Sequence, residues 1–396
     1  MQSVSGKNWE ESKINIRIFE KIKSENNFPD IINKLISLRN FSKEEIFTIN
    51  DKIDLINPFL NIEDFKNSHN LLSKTIKEKE KILIIGDYDV DGIVSTSLFI
   101  KFLKILNYPY EFYIPDRLKD GYGANLKLVE RLVKKKPNLI IMLDCGSNSI
   151  EVVEFLNLNK INSIIIDHHE IHKPYPKTKN LINPKKKCDY ENFNHLCSAS
   201  LTYFFIDFFF KKKKLKNSFH QNLIFVLLAT VSDVMPLRYL NRIIAKKALL
   251  DFRLNNNYLI KKLFKILKIN RKLNIEDLGF LIGPIINSSG RIGNPNKVVN
   301  LLTSNDYGYI DELINHLINL NQKRKVIEEN IVKNLDFSKI DNKNQKVIII
   351  IINFINEGLI GIIASKIKDY FNKPSIVFTQ SGNYLKVLQD LLKILI

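Results

Sequence analysis

Residues 81–92 read KILIIGDYDVDG, and this stretch decides the fold of the chain. A short apolar run there ends in glycine and aspartates, and the residues after it, VSTSLFIKFLKIL, have the pattern of a helix. Two later apolar runs, NLIIMLDCG at 138–146 and INSIIIDHHE at 161–170, also end in acidic or histidine side chains. Short apolar strands separated by helices are typical of a parallel sheet with crossover helices. We therefore predict an α/β fold whose polar clusters meet at the carboxyl edge of one sheet.

The rest of the chain divides into parts that differ in their pattern of apolar and turn-forming residues. Residues 1–80 have an amphipathic helical pattern, and residues 241–335 are predicted to be mostly helical, with GPIINSSGRIGNP at 283–295 as a turn-rich interruption. A new apolar run begins at residue 346, and the last ten residues, VLQDLLKILI, favour a terminal helix. We expect four parts, namely an N-terminal helical segment (1–54), an α/β domain (55–240), a helical connector (241–340) and a partial second α/β domain (341–396).

Composition limits the class of protein but does not choose its ligand. Hydrophobic residues make up 45% of the chain, which excludes a disordered protein. The 60 Lys and Arg residues exceed the 42 Asp and Glu residues, giving a charge of +18 that favours an anionic partner. Abundant Lys, Asn and Ile also fit a codon usage rich in A and T. The charge alone therefore does not identify nucleic acid as the partner.

Cysteine content and apolar segments predict a reduced, cytoplasmic protein. Three cysteines are too few for a disulfide framework, and Cys188, His195 and Cys197 lack a fourth zinc ligand at ordinary spacing. The N-terminus has no apolar core, so we expect no signal peptide. The run LTYFFIDFFF at 201–210 contains Asp207 and is too short to span a bilayer, so we predict a buried helix there.

The GDYDVDG loop places three carboxylates at alternate positions, Asp87, Asp89 and Asp91. Carboxylates this close repel one another unless a cation lies among them. The loop also matches the first half of a calcium-binding EF-hand. That site requires Glu at position twelve, where this chain has Leu98, and a strand rather than a helix precedes the loop. We therefore reject an EF-hand but still predict that a cation binds among these three carboxylates.

Three further segments supply metal-ligand side chains. They contribute Asp144, the Asp167–His168–His169 triplet and Asp233. Taken alone, an aspartate after a strand is often a helix cap, and a single histidine is commonly structural. Together they predict a site of carboxylates and imidazoles, which suits Mn²⁺ or Mg²⁺ better than structural zinc. Two such ions about 3.5–4 Å apart serve in-line attack at phosphorus.

These segments carry a family resemblance. GDYDVDG, LDCG, DHH and SDVMPL, in this order, resemble the four motifs of the DHH phosphoesterase superfamily. Additional similarity to its RecJ-type 5′→3′ exonucleases lies in YIPDRLKDGYG (113–123), NPK (183–185), GPIINSSGRIGNP and GLIGIIASKI (358–367). The resemblance runs from about residue 10 to 380. It implies a parallel-sheet DHH domain and metal-dependent hydrolysis of single-stranded DNA from the 5′ end to 5′-mononucleotides, in DNA repair and recombination.

The resemblance also implies residue roles and partners. It implies two divalent ions, Mn²⁺ first and Mg²⁺ second, with Asp144 and Asp233 bridging them and His169 supporting the site or touching phosphate. Asp167 would hold an imidazole in place, and Arg117 and Arg291 would bind the substrate phosphate. The catalytic set is Asp144, His168, His169 and Asp233, and the metal set is Asp87, Asp89, Asp91, Asp144, His168 and Asp233. Single-stranded DNA is the expected partner, with a helicase or single-strand-binding protein as candidate protein partners, no membrane, and a monomeric state.

Two alternatives remain, and the larger departure from the family pattern lies at the end of the chain. The chain could instead be a DHH phosphoesterase acting on short oligonucleotides or nucleotide phosphates, or an inactive remnant that binds nucleic acid. After GNYLK the family reads Gly-Ser-Gly-Arg-Ser and continues into a further β-barrel, whereas this chain reads VLQDLLKILI. The resemblance therefore implies C-terminal truncation, and a frameshift after Lys386 is our hypothesis for it.

Overall fold

The fold is described by a computed structural model. It covers residue 8 and residues 10–50, 54–117, 119–186, 192–215, 219–335, 345–353, 355–381 and 384–390. Four helices precede the first strand, as the amphipathic pattern of residues 1–80 predicts. They are α1 (Ile16–Glu25), α2 (Asp30–Leu38), α3 (Lys43–Asn50) and α4 (Glu63–Lys77).

A five-stranded parallel sheet forms the centre of the molecule, which confirms the predicted α/β fold. The strand order is β2-β1-β3-β4-β5. β1 and β3 are buried along their whole length, which explains their continuous apolar sequences. The two edge strands, β2 and β5, were not predicted because three and two residues are too few to show a pattern. The strands are β1 (Ile82–Ile85), β2 (Glu111–Tyr113), β3 (Leu139–Leu143), β4 (Asn162–Ile166) and β5 (Leu181–Ile182).

Helices cover both faces of this sheet. One face packs on α6 (Leu126–Val133) and α7 (Ile150–Leu158). The other packs on α5 (Val90–Ile105), α8 (Ser198–Lys212) and α9 (Leu223–Ser232), which share the largest apolar core. The phenylalanine-rich helix α8 is buried over its first thirteen residues, as predicted for residues 201–210. In the part of the chain that the structure describes, no helix is both long enough and apolar enough to cross a membrane.

The region after α9 is mostly helical, as predicted, but one expectation about it is wrong. GPIINSSGR was expected to be a turn, yet it forms a helix entered through a π-helical segment at Asp277–Ile282. Pro284 directly follows the π-helical segment, and its ring nitrogen has no N–H to donate to the hydrogen-bond ladder of the helix. The helices are α10 (Tyr239–Asp251), α11 (Tyr258–Ile266), α12 (Gly283–Ile292), α13 (Asn296–Thr303) and α14 (Tyr307–Asn334).

A second, three-stranded sheet follows α14. β6 (Ile348–Ile351) pairs in parallel with β7 (Ser375–Ser381), and β7 pairs antiparallel with β8 (Tyr384–Asp390). Helix α15 (Ile360–Phe371) covers one face of this sheet. The terminal-helix prediction is wrong for residues 387–390, because the free edge of β7 offers backbone partners that favour a strand. Residues 391–396 lie outside the described residues.

The other face of this second sheet carries exposed apolar side chains. Ile349, Ile351, Leu385 and Val387 are 60%, 63%, 59% and 49% exposed. We call these four residues the open sheet face. The predicted domain boundaries at residues 54, 240 and 340 stay predictions.

Candidate metal centre

The loop after β1 is fixed by the ends of two helices. Asp89 caps α5 by accepting a hydrogen bond from the Gly92 N–H at 3.0 Å. The carboxylate of Asp91 accepts from the N–H groups of Ser198 at 2.7 Å and Ala199 at 2.8 Å, at the start of α8. A helix N-terminus stabilises negative charge, so these contacts hold two of the three carboxylates in place.

Helix α12 approaches this loop at backbone distance. A Cβ atom added to Gly290 would lie 2.1 Å from the carbonyl oxygen of Tyr88. Glycine is therefore required on the helix face that packs against the aspartate loop. This contact explains why part of the GPIINSSGR segment belongs to the site although it lies about 200 residues later in the chain.

Asp144 follows β3 in an unusual backbone conformation. Its φ is +62°, in the left-handed region, where aspartate is tolerated better than most residues. Its N–H donates to the Ile166 carbonyl at 2.9 Å, which ties the end of β3 to β4. Its side chain is fully buried. The two carboxylate oxygens have no hydrogen-bond partner among the described residues.

The end of β4 carries a carboxylate that organises its neighbours. Asp167 accepts hydrogen bonds from the Ser147 N–H at 2.9 Å, the His168 N–H at 2.7 Å and the His169 Nδ1 at 2.8 Å. Asn183, at the end of β5, donates to the Ser147 hydroxyl and to the His169 carbonyl at 2.6 and 2.9 Å. These contacts lock the loops after β3 and β4 together. The sequence offered no role for Asn183 beyond its place in NPK.

His168 lies at the meeting point of three carboxylates. Its Nε2 is 3.4 Å from Asp144 Oδ1, 3.5 Å from Asp233 Oδ2 and 3.6 Å from Asp91 Oδ2. Asp233 is the C-terminal cap of α9, so it reaches the site from the helical layer and not from the end of a strand. The ligand atoms within 4.8 Å of one another form three groups, Asp144–His168–His169, Asp91–His168–Asp233 and Asp87–Asp89–Asp144.

The electrostatics of this cluster call for a cation. Burial, followed by repulsion from neighbouring carboxylates, raises the pKa of Asp87, Asp89 and Asp144 and raises that of Asp233 to about 7. Buried acceptor atoms are also left without protein partners in the described chain, namely Asp87 Oδ1, both oxygens of Asp144 and His168 Nδ1. A divalent ion relieves the repulsion and uses the spare oxygens. Carboxylate oxygens with an imidazole suit Mn²⁺ or Mg²⁺.

His169 differs from His168 in exposure and charge. Its side chain is 40% exposed, and Tyr122 Oη lies 3.0 Å from its Nε2. Burial would lower the pKa of His169, but the hydrogen bond with Asp167 and the surrounding carboxylates outweigh it and raise the pKa to about 9. The same hydrogen-bonded pair also changes the pKa of Asp167. Burial would raise the pKa of Asp167, yet the contacts with His169 and Ser147 hold it below its usual range.

Arginines lie beside the carboxylates. The Arg117 guanidinium lies over the Tyr88 ring at 5.1 Å, and Arg291 Nη1 donates to the Gly358 carbonyl at 2.9 Å. Burial, followed by the positive charges of Arg117 and Arg324, lowers the pKa of Arg291. Arg324, on α14, was not predicted. The structure thus brings the two predicted arginines near each other. Arg324 lies near Arg291 but is paired with Glu328 and Asn321.

Comparisons with known proteins agree with this geometry. Residues 81–230 match the family described as "DHH family, N-terminal domain". The single-stranded-DNA-specific exonuclease RecJ of Bacillus subtilis is 29% identical over 358 residues, covering 88% of this chain and 44% of the relative. RecJ of Haemophilus influenzae is 30% identical over 331 residues, covering 79% of this chain and 57% of the relative. The chain therefore spans about half the length of these curated relatives.

Solved structures show the same fold. A crystal structure of exonuclease RecJ bound to manganese superposes with a TM-score of 0.74 at 23% identity, covering 83% of this chain and 82% of that one. RecJ of Thermus thermophilus in complex with Mn²⁺ gives a TM-score of 0.73 at 21% identity, covering 90% and 53%. Residues 81–230 thus match the DHH-family N-terminal domain, and the chain is similar in sequence to the RecJ exonucleases over most of its own length.

Proposed function

We propose that this protein is a metal-dependent exonuclease that hydrolyses single-stranded DNA from the 5′ end, releasing 5′-mononucleotides in DNA repair and recombination. One observation carries the proposal. Carboxylates and an imidazole converge in a buried cluster whose acceptor atoms lack protein partners in the described chain. The names of the relatives supply the substrate, because RecJ is described as specific for single-stranded DNA.

Two divalent ions are part of the proposal, Mn²⁺ first and Mg²⁺ second. Solved RecJ structures are described as complexes with each of these ions. Asp144 belongs to two of the three ligand groups, which supports a bridging role, and we assign Asp233 the second bridge. Such ions would supply positive charge at the phosphate and lower the pKa of a water toward ~7. The proposed ligands are Asp87, Asp89, Asp91, Asp144, His168 and Asp233.

The remaining roles belong to side chains around the cluster. Asp167 orients His169 and favours its protonated form, so His169 presents a positive charge toward the site. Arg117 and Arg291 would hold the phosphate of the strand end, because a planar guanidinium can donate to two phosphate oxygens at once. Arg291 has one N–H directed to Gly358, which fixes its position.

The proposal extends to the whole molecule. We assign the DHH chemistry to residues 55–240, with residues 241–340 as the connector and the second sheet as the other wall of a strand-binding cleft. Action as a cytoplasmic monomer, and cooperation with a helicase or a single-strand-binding protein, also belong to the proposal. Sedimentation of the purified chain and pull-down with those two classes of protein test these points.

The activity is tested with a single-stranded oligonucleotide labelled at either end and incubated with Mn²⁺. A 5′ label is expected to appear at once as a mononucleotide, while a 3′ label remains on progressively shorter strands. Asp144→Ala should abolish the reaction, and Asp369→Ala, a surface carboxylate that is 69% exposed, should leave it unchanged. Substantial activity in the Asp144→Ala variant would refute the metal assignment.

The two rival functions give different results in the same assay. A DHH phosphoesterase for short substrates would cleave dinucleotides faster than long strands. An inactive remnant would bind the strand without cleaving it in either Mn²⁺ or Mg²⁺. The arginines beside the carboxylates support the exonuclease, since they would supply cations for the phosphate of a strand end.

A further inference from the structure

A second cavity lies away from the metal centre, on the helical side of the molecule. Its volume is about 780 Å³, within the range of sites for small molecules. It is lined by residues from α5, α9, α10, α11, α13 and α14, and none of the proposed metal ligands contributes to it. Lys101, on α5, lies eleven residues after Val90, which is about 16 Å along the helix from the aspartate loop.

Lys101 places a positive charge inside this cavity. Its ammonium donates to Asn222 Oδ1 at 2.9 Å and lies 4.7 Å from the centroid of the Phe225 ring. Within the described residues no carboxylate forms an ion pair with it, and burial, with help from the charge of Lys104, lowers the pKa of Lys101 to about 8. The ammonium has three N–H donors, so it can offer a hydrogen bond to an anion in the cavity.

The other charges of the cavity also favour an anion. Arg253 and Lys261 line it together with Lys101. The carboxylate on its wall, Asp251, is paired with Lys247 at 3.3 Å. The balance of the lining is therefore positive, although the cavity is separate from the arginines beside the metal centre.

An aromatic surface lies on the same cavity wall. Tyr258 and Tyr307 pack against each other with ring centroids 4.3 Å apart. Tyr258 is fixed by a hydrogen bond to Asp311 at 2.9 Å, whereas Tyr307 is 62% exposed. Exposed tyrosine rings are the surfaces on which nucleobases stack. Asn255, Asn256 and Asn305 also line the cavity, and an asparagine amide can pair with the donors and acceptors of a base.

We propose that this cavity is a second nucleotide-binding site, with the phosphate held by Lys101 and the base stacked against Tyr307. The occupant is a phosphate ester carrying a nucleobase, supplied either as a free mononucleotide or as part of a single strand. This inference goes beyond the proposed nuclease function, because binding at this site requires neither a metal ion nor hydrolysis.

The test is a calorimetric titration of the whole chain with dAMP in the presence of EDTA. Saturable binding is expected, and Lys101→Gln and Tyr307→Ala should each weaken it at least tenfold. Control variants lie outside the cavity lining. Lys77→Gln on α4 and Tyr309→Ala on α14 should bind dAMP as the unchanged protein does.

Further measurements distinguish a free nucleotide from a single strand as the occupant, and this cavity from the arginines beside the metal centre. Deoxyadenosine should bind more weakly than dAMP, and inorganic phosphate should compete. Displacement of dAMP by a single-stranded oligonucleotide would identify the strand as the occupant, and lack of displacement would identify the free nucleotide. The proposal is overturned if dAMP does not bind, if the control variants weaken binding equally, or if Arg117→Ala abolishes it. Because Tyr307 is exposed, its variant keeps the test valid even if Lys101→Gln fails to fold.

Discussion

Asp144 combines a left-handed backbone with a buried carboxylate among other carboxylates. A carboxylate buried among other carboxylates is unfavourable in the metal-free protein, and a bound cation would relieve the repulsion between them. Asp144, the residue most important for the proposed chemistry, is therefore expected to destabilise the fold when no metal ion is bound.

The variant Asp144→Asn should make the metal-free protein more stable, by about 1–2 kcal/mol. Asparagine accepts the same backbone conformation, removes one negative charge and can donate to the neighbouring carboxylates. Thermal unfolding in EDTA should show a higher midpoint than for the unchanged protein. The rise in the midpoint caused by Mn²⁺ should be lost, together with nuclease activity.

Asp91→Asn is the matched comparison, because this carboxylate is occupied by protein donors. Both its oxygens accept from the start of α8, and an amide retains only one acceptor. In EDTA, the unfolding midpoint of Asp91→Asn should be lower than that of the unchanged protein, whereas the midpoint of Asp144→Asn should be higher. A fall in both variants would show that repulsion at Asp144 does not destabilise the metal-free fold.

His195 gives the fold a dependence on pH that is separate from the metal ligands. Its Nε2 has no hydrogen-bond partner among the described residues, and burial lowers its pKa to about 4. Between about pH 6.5 and 4 the unfolded chain takes up a proton on this histidine and the folded protein does not. Stability is therefore lost as the pH falls through that window, and His195→Gln should reduce the loss by about 1 kcal/mol.

Urea unfolding at pH 7 and at pH 4.5 measures this effect in both proteins. The carboxylates titrate in both, so the difference between the two losses isolates His195. An equal loss in the variant would mean that His195 is protonated in the folded state.

Residues that act through a short local motif could be predicted from the sequence, and residues that act across the fold could not. The aspartates and histidines of the cluster follow strands or lie in dense acidic loops, so their types and positions predicted a metal site, and the structure brings them together. Asn183 and Arg324 gave no such signal. Asn183 is recognisable only from its contacts with loops 14 and 36 residues away, and Arg324 from its charge beside Arg291.

At the scale of elements, α12 acts as a wall of the metal site. Gly290→Ala should separate this helix from the aspartate loop, because the added methyl would lie 2.1 Å from the Tyr88 carbonyl oxygen. We expect a loss of about 2–3 kcal/mol in stability and at least a tenfold loss of nuclease activity. Chemical denaturation and the end-labelled assay measure the two effects.

Gly308→Ala is the control for this substitution. Gly308 is an exposed helical glycine whose added methyl would make only an ordinary contact, 3.4 Å from Asp306 Oδ1. Alanine should raise stability there by roughly 0.5–1 kcal/mol and leave activity unchanged. If Gly290→Ala behaves in the same way, α12 does not form the back of the site.

The elements that the sequence misassigned are those for which tertiary contacts outweigh local preference. GPIINSSGR carries turn-forming residues, yet its glycines are needed for close helix packing at Gly283 and Gly290. VLQD has helical leanings, yet β7 offers an open edge with which it pairs. The central strands and α8 were predictable because burial on all sides leaves a continuous apolar sequence.

At the scale of the whole molecule, the net charge of +18 surrounds a pocket of buried aspartates. If a bound strand has about five phosphates neutralised by lysine and arginine, its affinity should fall about 100-fold between 50 and 200 mM salt. Fluorescence anisotropy with a labelled single strand in EDTA measures this slope. A flat dependence on salt would mean that the excess lysine does not serve strand binding.

The open sheet face has a practical consequence for anyone who handles the protein. Four exposed aliphatic side chains on a short sheet favour self-association, and β8 forms the edge of that sheet. The excess positive charge keeps molecules apart at low ionic strength, but salt screens this repulsion within about 10 Å at 0.1 M. Concentrated stocks should therefore remain clear in dilute buffer and turn turbid when salt is added, which sets the conditions for purification and crystallisation.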